Sequence, residues 1–151
     1  MKKLIAIAVL LVGCAFAPCQ TELYILTKGY ACTVSFYTTD SFSCENGVSV
    51  TRVGQWNEIT CSEAYAPIVR KSIESLSGQS ATVYTKTAQE IMIDLSATTI
   101  FTQSVDGIDI YYAYSPRLGG GVTVNGEKIN LELAQHNGKV TVGTPLILGS
   151  Y

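Results

Sequence analysis

Apolar and polar residues alternate along much of the last third of the chain, and the alternation is punctuated by Asn-Gly and Asp-Gly pairs. Asn46-Gly47, Asp106-Gly107, Asn125-Gly126 and Asn137-Gly138 each suit a type I′ turn, whose two central residues both take positive φ. A turn at 137–138 sets Leu133 against Val142, Leu131 against Thr144 and Ile129 against Leu146, so that apolar residues share one face of the hairpin. A turn at 106–107 sets Val105 against Ile108 and Phe101 against Tyr112, and one at 125–126 sets Val122 against Ile129. Chained together, these hairpins predict an antiparallel meander from Ile100 to Leu148, with Ile108, Ile110 and Tyr112 facing the core.

Upstream the period changes. Cys32-Val34-Phe36, Val48-Val50 and Ala81-Val83 alternate like strands. Thr60-Cys61-Ser62-Glu63 and Thr87-Ala88-Gln89-Glu90 read as capping boxes, in which a threonine and a glutamate each satisfy an otherwise unpaired backbone N–H. After the first, Tyr65, Ile68, Val69, Ile73 and Leu76 form a helical stripe ending at Gly78, with Pro67 either kinking the helix or opening its regular part. After the second, Ala88, Ile91, Met92 and Leu95 form a shorter stripe. The expected fold is α+β: an antiparallel sheet of hairpins with two helices packed on one face.

The amino terminus has a different pattern. Met1-Lys2-Lys3, the apolar run Leu4–Val12 and the small residues after it have the form of a secretory signal, and the run is too short for a permanent membrane span. Ala15-Phe16-Ala17 offers a signal-peptidase site at the end of 1–17, although Pro18 would then lead the mature chain. Leu11-Val12-Gly13-Cys14 resembles a lipobox, which would end the leader at 13 and make Cys14 a lipidated first residue. Either way 18–151 is one domain by size, and it is expected to be extracytoplasmic, secreted or membrane-anchored through Cys14. Cys19, Cys32, Cys44 and Cys61 would then meet an oxidising compartment. Two disulfides are expected, in any of three pairings, each contributing roughly 2–4 kcal/mol.

Composition narrows the chemistry. Apolar residues make up 47% of the chain and charged residues 15%, and the net charge is −2, which gives no electrostatic reason to bind nucleic acid. The cysteine spacings lack a C-x-x-C pair and the single histidine, His136, is remote from them, so neither a metal site nor a cofactor is expected. No G-x-S-x-G elbow presents a serine to His136, which is expected to face solvent beside its turn. Asp106 and Asp109 read as turn and surface. Ser115-Pro116-Arg117 followed by Leu118 and three glycines lacks the lysine and helix of a phosphate loop, and reads as a mobile connection. No catalytic residue is assigned. Tyr111, Tyr114 and Arg117 are the candidate binding residues, since exposed tyrosine beside arginine is characteristic of protein interfaces.

Three stretches of the C-terminal third carry a likeness: Asp106-Gly107-Ile108-Asp109-Ile110-Tyr111-Tyr112-Ala113-Tyr114-Ser115-Pro116, Val124-Asn125-Gly126-Glu127-Lys128-Ile129-Asn130-Leu131, and Gly143-Thr144-Pro145-Leu146-Ile147-Leu148-Gly149-Ser150-Tyr151. Together they resemble the YwmB-like proteins exported by spore-forming Gram-positive bacteria. The resemblance implies an α+β fold, and it implies no reaction and no site residues. The expected function is a non-enzymatic exported domain that binds a protein partner, with a link to sporulation. A small extracellular hydrolase and a module binding a small ligand between helices and sheet are the alternatives.

Overall fold

The computed structural model describes residues 20–43 and 46–149. The leader, Cys14, Cys19 and Cys44 lie outside the described residues. In chain order the elements are α1 (Leu23–Leu26), β1 (Ala31–Thr38), β2 (Val48–Val53), β3 (Trp56–Ser62), α2 (Ala66–Lys71), β4 (Leu76–Val83), α3 (Ala88–Asp94), β5 (Thr98–Val105), β6 (Ile108–Tyr114), β7 (Val122–Val124), β8 (Glu127–Ile129), β9 (Leu131–His136) and β10 (Lys139–Thr144). Eight strands form one antiparallel sheet in the order β2-β3-β1-β4-β10-β9-β6-β5, and β7 and β8 form a separate two-stranded ribbon. The architecture is α+β, dominated by sheet, with three short helices among the described residues.

Turn chemistry decides the local pairings. Asp106, Asn125 and Asn137 all take positive φ, as do the glycines after them, and each pair closes its hairpin. Val105 pairs with Ile108, Phe101 with Tyr112, Val122 with Ile129 and Leu133 with Val142, as the alternation predicts. Gly138→Val should cost roughly 1–3 kcal/mol in a urea titration, because φ of +74° excludes a β-branched side chain. A loss below 0.5 kcal/mol would mean that the turn relaxes to another type.

Elsewhere the expected picture is corrected. Gly47 has positive φ, but among the described residues no hairpin closes there: β2 turns into β3 at Gly54-Gln55 instead. The meander is interrupted, since β6 pairs directly with β9 and leaves β7–β8 outside the sheet. The β9–β10 register therefore ends at Glu132–Gly143, and Leu131 and Ile129 pair with Ala113 and Val122 rather than with Thr144 and Leu146.

The first capping box does not form. Thr60 lies inside β3 and shares a hydrogen bond with Ser35, while the Glu63 carboxylate accepts from Gly29 N–H. Pro67 sits in the first turn of α2, where its missing N–H costs nothing, and Leu76 and Gly78 belong to β4. The second box forms as read: Thr87 N–H donates to Glu90 at 2.7 Å and Glu90 N–H donates to Thr87 Oγ1 at 3.3 Å. The bonds that Thr87 donates to the Glu90 carboxylate, from its N–H and then from its hydroxyl, hold that carboxyl below its usual range.

Two buried clusters result. Ala66, Val69 and Ile73 pack with Val34, Phe36, Ile59, Cys61 and Ala81. Ala88, Ile91, Met92 and Leu95 pack with Leu23, Val83, Ala113, Leu118, Leu131, Leu133, Val140 and Val142. In β6 it is Tyr111 and Ala113 that stand in register with Leu133 and Leu131 and join this cluster. Ile110 and Tyr112 occupy the alternate face, contrary to the sequence expectation.

That alternate face is covered at its centre. After a cis Thr144–Pro145 peptide bond the chain crosses it: a Cβ on Gly143 would come within 2.7 Å of Ile147, and one on Gly78 within 2.9 Å of Leu148. Two glycines thus leave room for the 145–149 segment. Glu132, 4% exposed, accepts from Ile147 N–H at 2.8 Å. The Tyr37 hydroxyl donates to Glu58 at 2.8 Å, and burial pushes its pKa well above the usual phenol value.

Candidate functional site

The two edges of the sheet differ. β2 carries Arg52, whose guanidinium donates to Asn57 on β3. The other edge, β5, has the sequence Thr-Thr-Ile-Phe-Thr-Gln-Ser-Val, without a charge, proline or glycine, and every residue except Ile100 is exposed. Natural edge strands of this length usually carry charge, proline or bulges that discourage another strand from adding. β5 has one bulge, between Thr99 and Phe101, and runs regularly from Phe101 to its turn.

The Asp106-Gly107 turn determines which backbone groups are free. In a two-residue hairpin the residues flanking the turn exchange both hydrogen bonds, so Val105–Ile108, Gln103–Ile110 and Phe101–Tyr112 are the hydrogen-bonded pairs. Thr102 and Ser104 then aim their N–H and C=O outward. Above this row Phe101 stacks on Tyr112, with ring centroids 4.3 Å apart and planes at 26°, and Val105 lies beside Ile108. Phe101 stays 36% exposed and Val105 40%. On the other face the Ser104 hydroxyl donates to Asp109. Burial, and then the carboxylate of Glu132 to which it hydrogen-bonds, raises the Tyr112 phenol above its ordinary pKa.

The three candidate binding residues do not converge. Tyr111 is half-buried against the cluster around α3, and Tyr114 projects to the opposite face with Lys128 Nζ 5.6 Å from its ring centroid. Arg117 donates to the carbonyl of Asp94 and so caps the end of α3. Around it, Lys86 pairs with Asp94 and lies 4.6 Å from the centroid of Tyr30, whose phenol is pushed up to about 12 by burial, then Asp94, with Arg117 opposing. The glycine-rich segment is anchored rather than loose. The fully buried Asn130 side chain donates to the carbonyls of Ser115 and Leu118 and accepts from Ser115 N–H, and Leu118 is 2% exposed.

Other candidate chemistry is accounted for structurally. Cys32 is an exposed thiol and Cys61 a buried one whose pKa is raised by desolvation, and among the described residues the two are not bridged to each other. His136 does not simply face solvent: its Nδ1 lies 3.0 Å from Gly107 O and its Nε2 2.8 Å from Asn137 Nδ2, so it ties the 106–107 turn to the 137–138 turn. Among the described residues no group of three His, Cys, Asp or Glu side chains could hold a metal ion, and no helix is long and apolar enough to cross a membrane.

A crevice of about 210 Å³ runs between α1, β4 and the 118–119 loop, but its polar groups already serve the fold. Gln79 Oε1 accepts from Tyr24 N–H, Thr144 Oγ1 donates to Asn130 O, and Glu22 pairs with Arg70.

The β5 edge was missed at the level of sequence, where attention fell on the tyrosines of the neighbouring strand. A signal was present: between Asp94 and Asp106 the chain has no charged residue. No family model, curated protein or solved structure matches the chain.

Proposed function

We propose that the chain is an exported or envelope-associated, non-enzymatic domain that binds a protein partner by adding a strand to β5. The observation that carries this reading is an eight-residue edge strand, exposed and uncharged, whose Thr102 and Ser104 backbone groups point outward. Strand addition uses such a row for affinity and the flanking side chains for specificity. Phe101 and Val105 supply an apolar margin on one side of it.

The rest of the proposal comes from the sequence. The leader within 1–17, with Cys14 as its lipidation candidate, supports export, and bridges among Cys19, Cys32, Cys44 and Cys61 belong to the exported form. The YwmB-like resemblance of 106–151 supports kinship with exported proteins of spore formers and a role connected with sporulation. We also take α2 and α3 to cover one face of the sheet. In support, Val34, Ala81, Val142 and Leu133 stand in register across four strands and join the two buried clusters.

A photocrosslinking residue placed at Ser104 of the full chain, expressed in cells that export it, tests the edge. A discrete adduct in the extracytoplasmic fraction is expected, together with none from the same probe at Thr51 on β2. Equal labelling at both edges, or a chain confined to the cytosol, would remove the basis of the proposal.

A further inference from the structure

We infer that the strand added to β5 comes from a second copy of this chain, paired antiparallel about a two-fold axis through Gln103. The inference rests on β5 being the binding edge and names its occupant. Two copies can pair only where outward-facing groups meet outward-facing groups, so Thr102 and Ser104 must face one another or themselves across the axis. That leaves three central registers.

An axis through Thr102 sets Phe101 against Gln103 of the other copy. An axis through Ser104 carries Phe101 beyond the other copy's strand to its Gly107. An axis through Gln103 sets Phe101 against Val105 twice, Thr102 against Ser104 twice, and Gln103 against itself. Only this register matches apolar with apolar, hydroxyl with hydroxyl and amide with amide on both faces of the strand. It buries the two exposed hydrophobic residues of β5 together.

The charges agree. β5 carries none, so no like charges oppose each other along the ladder. The nearest acidic turn residues, Asp106 and its copy, fall at opposite ends, about 20 Å apart for six residues of antiparallel strand. A crevice of about 270 Å³ does lie along the edge, lined by Thr102, Gln103, Ser104, Asp109, Ile110 and Tyr111, but its one charge, Asp109, is already bonded to Ser104, and β5 itself carries no charge to select a foreign strand. Its own sequence supplies the complement.

The position that faces itself provides the test. Gln103 is exposed, so Gln103→Lys and Gln103→Glu should leave the fold intact, which circular dichroism and thermal melts verify. Sedimentation equilibrium on the full chain, purified from cells that export it, should show a concentration-dependent monomer–dimer equilibrium. Each variant alone should weaken the dimer roughly fivefold or more, because like charges then meet at the axis. An equimolar mixture of the two should restore dimers, with one Lys and one Glu across the axis.

A wild-type chain that stays monomeric across the range would overturn the inference, and so would dimers unaffected by either variant. A Ser104 adduct of a mass other than twice the chain would overturn the second copy while leaving the binding edge standing. Absence of any adduct would remove the edge itself.

Discussion

Asn130→Ala is expected to cost about 3–5 kcal/mol, the largest loss for a single polar side chain in this domain. The side chain is fully buried and makes three hydrogen bonds of 2.8, 2.8 and 3.0 Å to the backbone of Ser115 and Leu118. Its truncation leaves Ser115 N–H and two carbonyls without their partner, each worth about 1–3 kcal/mol when no water reaches it. Relaxation of the loop recovers part of that sum. The backbone of Asn130 adds to the junction: its N–H donates to Ala113 O at 3.1 Å and its carbonyl accepts from Thr144 Oγ1 at 2.8 Å. One residue therefore ties the 115–121 loop to β6 and to the end of β10.

Urea titration measures the loss, with Lys128→Ala, an exposed neighbour, expected below 0.5 kcal/mol. Hydrogen exchange in the variant should rise first at Leu118, whose N–H donates to Ser115 O in the native loop. A loss under 1 kcal/mol would show that Arg117 and Leu118 hold the loop without Asn130.

Glu132→Ala is expected to cost about 2–4 kcal/mol, close to the 2–5 kcal/mol expected for Leu133→Ala. A sheet buried on one face would make neighbouring positions very different, with the glutamate cheap to remove. Here Leu133 is fully buried in the cluster around α3, and Glu132 is buried on the opposite face under the 145–149 segment. Its carboxylate holds Ile147 N–H and the Tyr112 hydroxyl, so truncation strands both donors and frees the segment. Glu132→Gln, which keeps an acceptor, should recover part of the loss. If Glu132→Ala costs under 0.5 kcal/mol while Leu133→Ala costs its full amount, the 145–149 segment contributes nothing to stability.

The short-range features follow from residues close together in the chain. Asp106-Gly107, Asn125-Gly126 and Asn137-Gly138 close hairpins because few other residue pairs tolerate positive φ at both positions, and their registers follow from counting outward. Thr87 and Glu90 cap α3 because both partners lie within one turn. Each of these depends on residues no more than a few positions apart. Asn46-Gly47 and Thr60-Glu63 show the limit: each has the right local chemistry, yet β2 and β3 claim the residues beside or within them, because pairing along whole strands outweighs one turn or one cap.

Tertiary structure decided which strands are neighbours, and with it everything about the faces. That β6 lies against β9 places Tyr111 inward and Tyr112 outward; a period of two says that they differ but not which of them faces the core. The return of 145–149 over Gly143 and Gly78 buries Glu132, which reads as solvent-exposed when one hairpin is considered alone. The same ordering of strands puts β5 at an edge. Its missing charges were legible in the sequence, but a strand becomes a binding edge only when the rest of the sheet stops beside it.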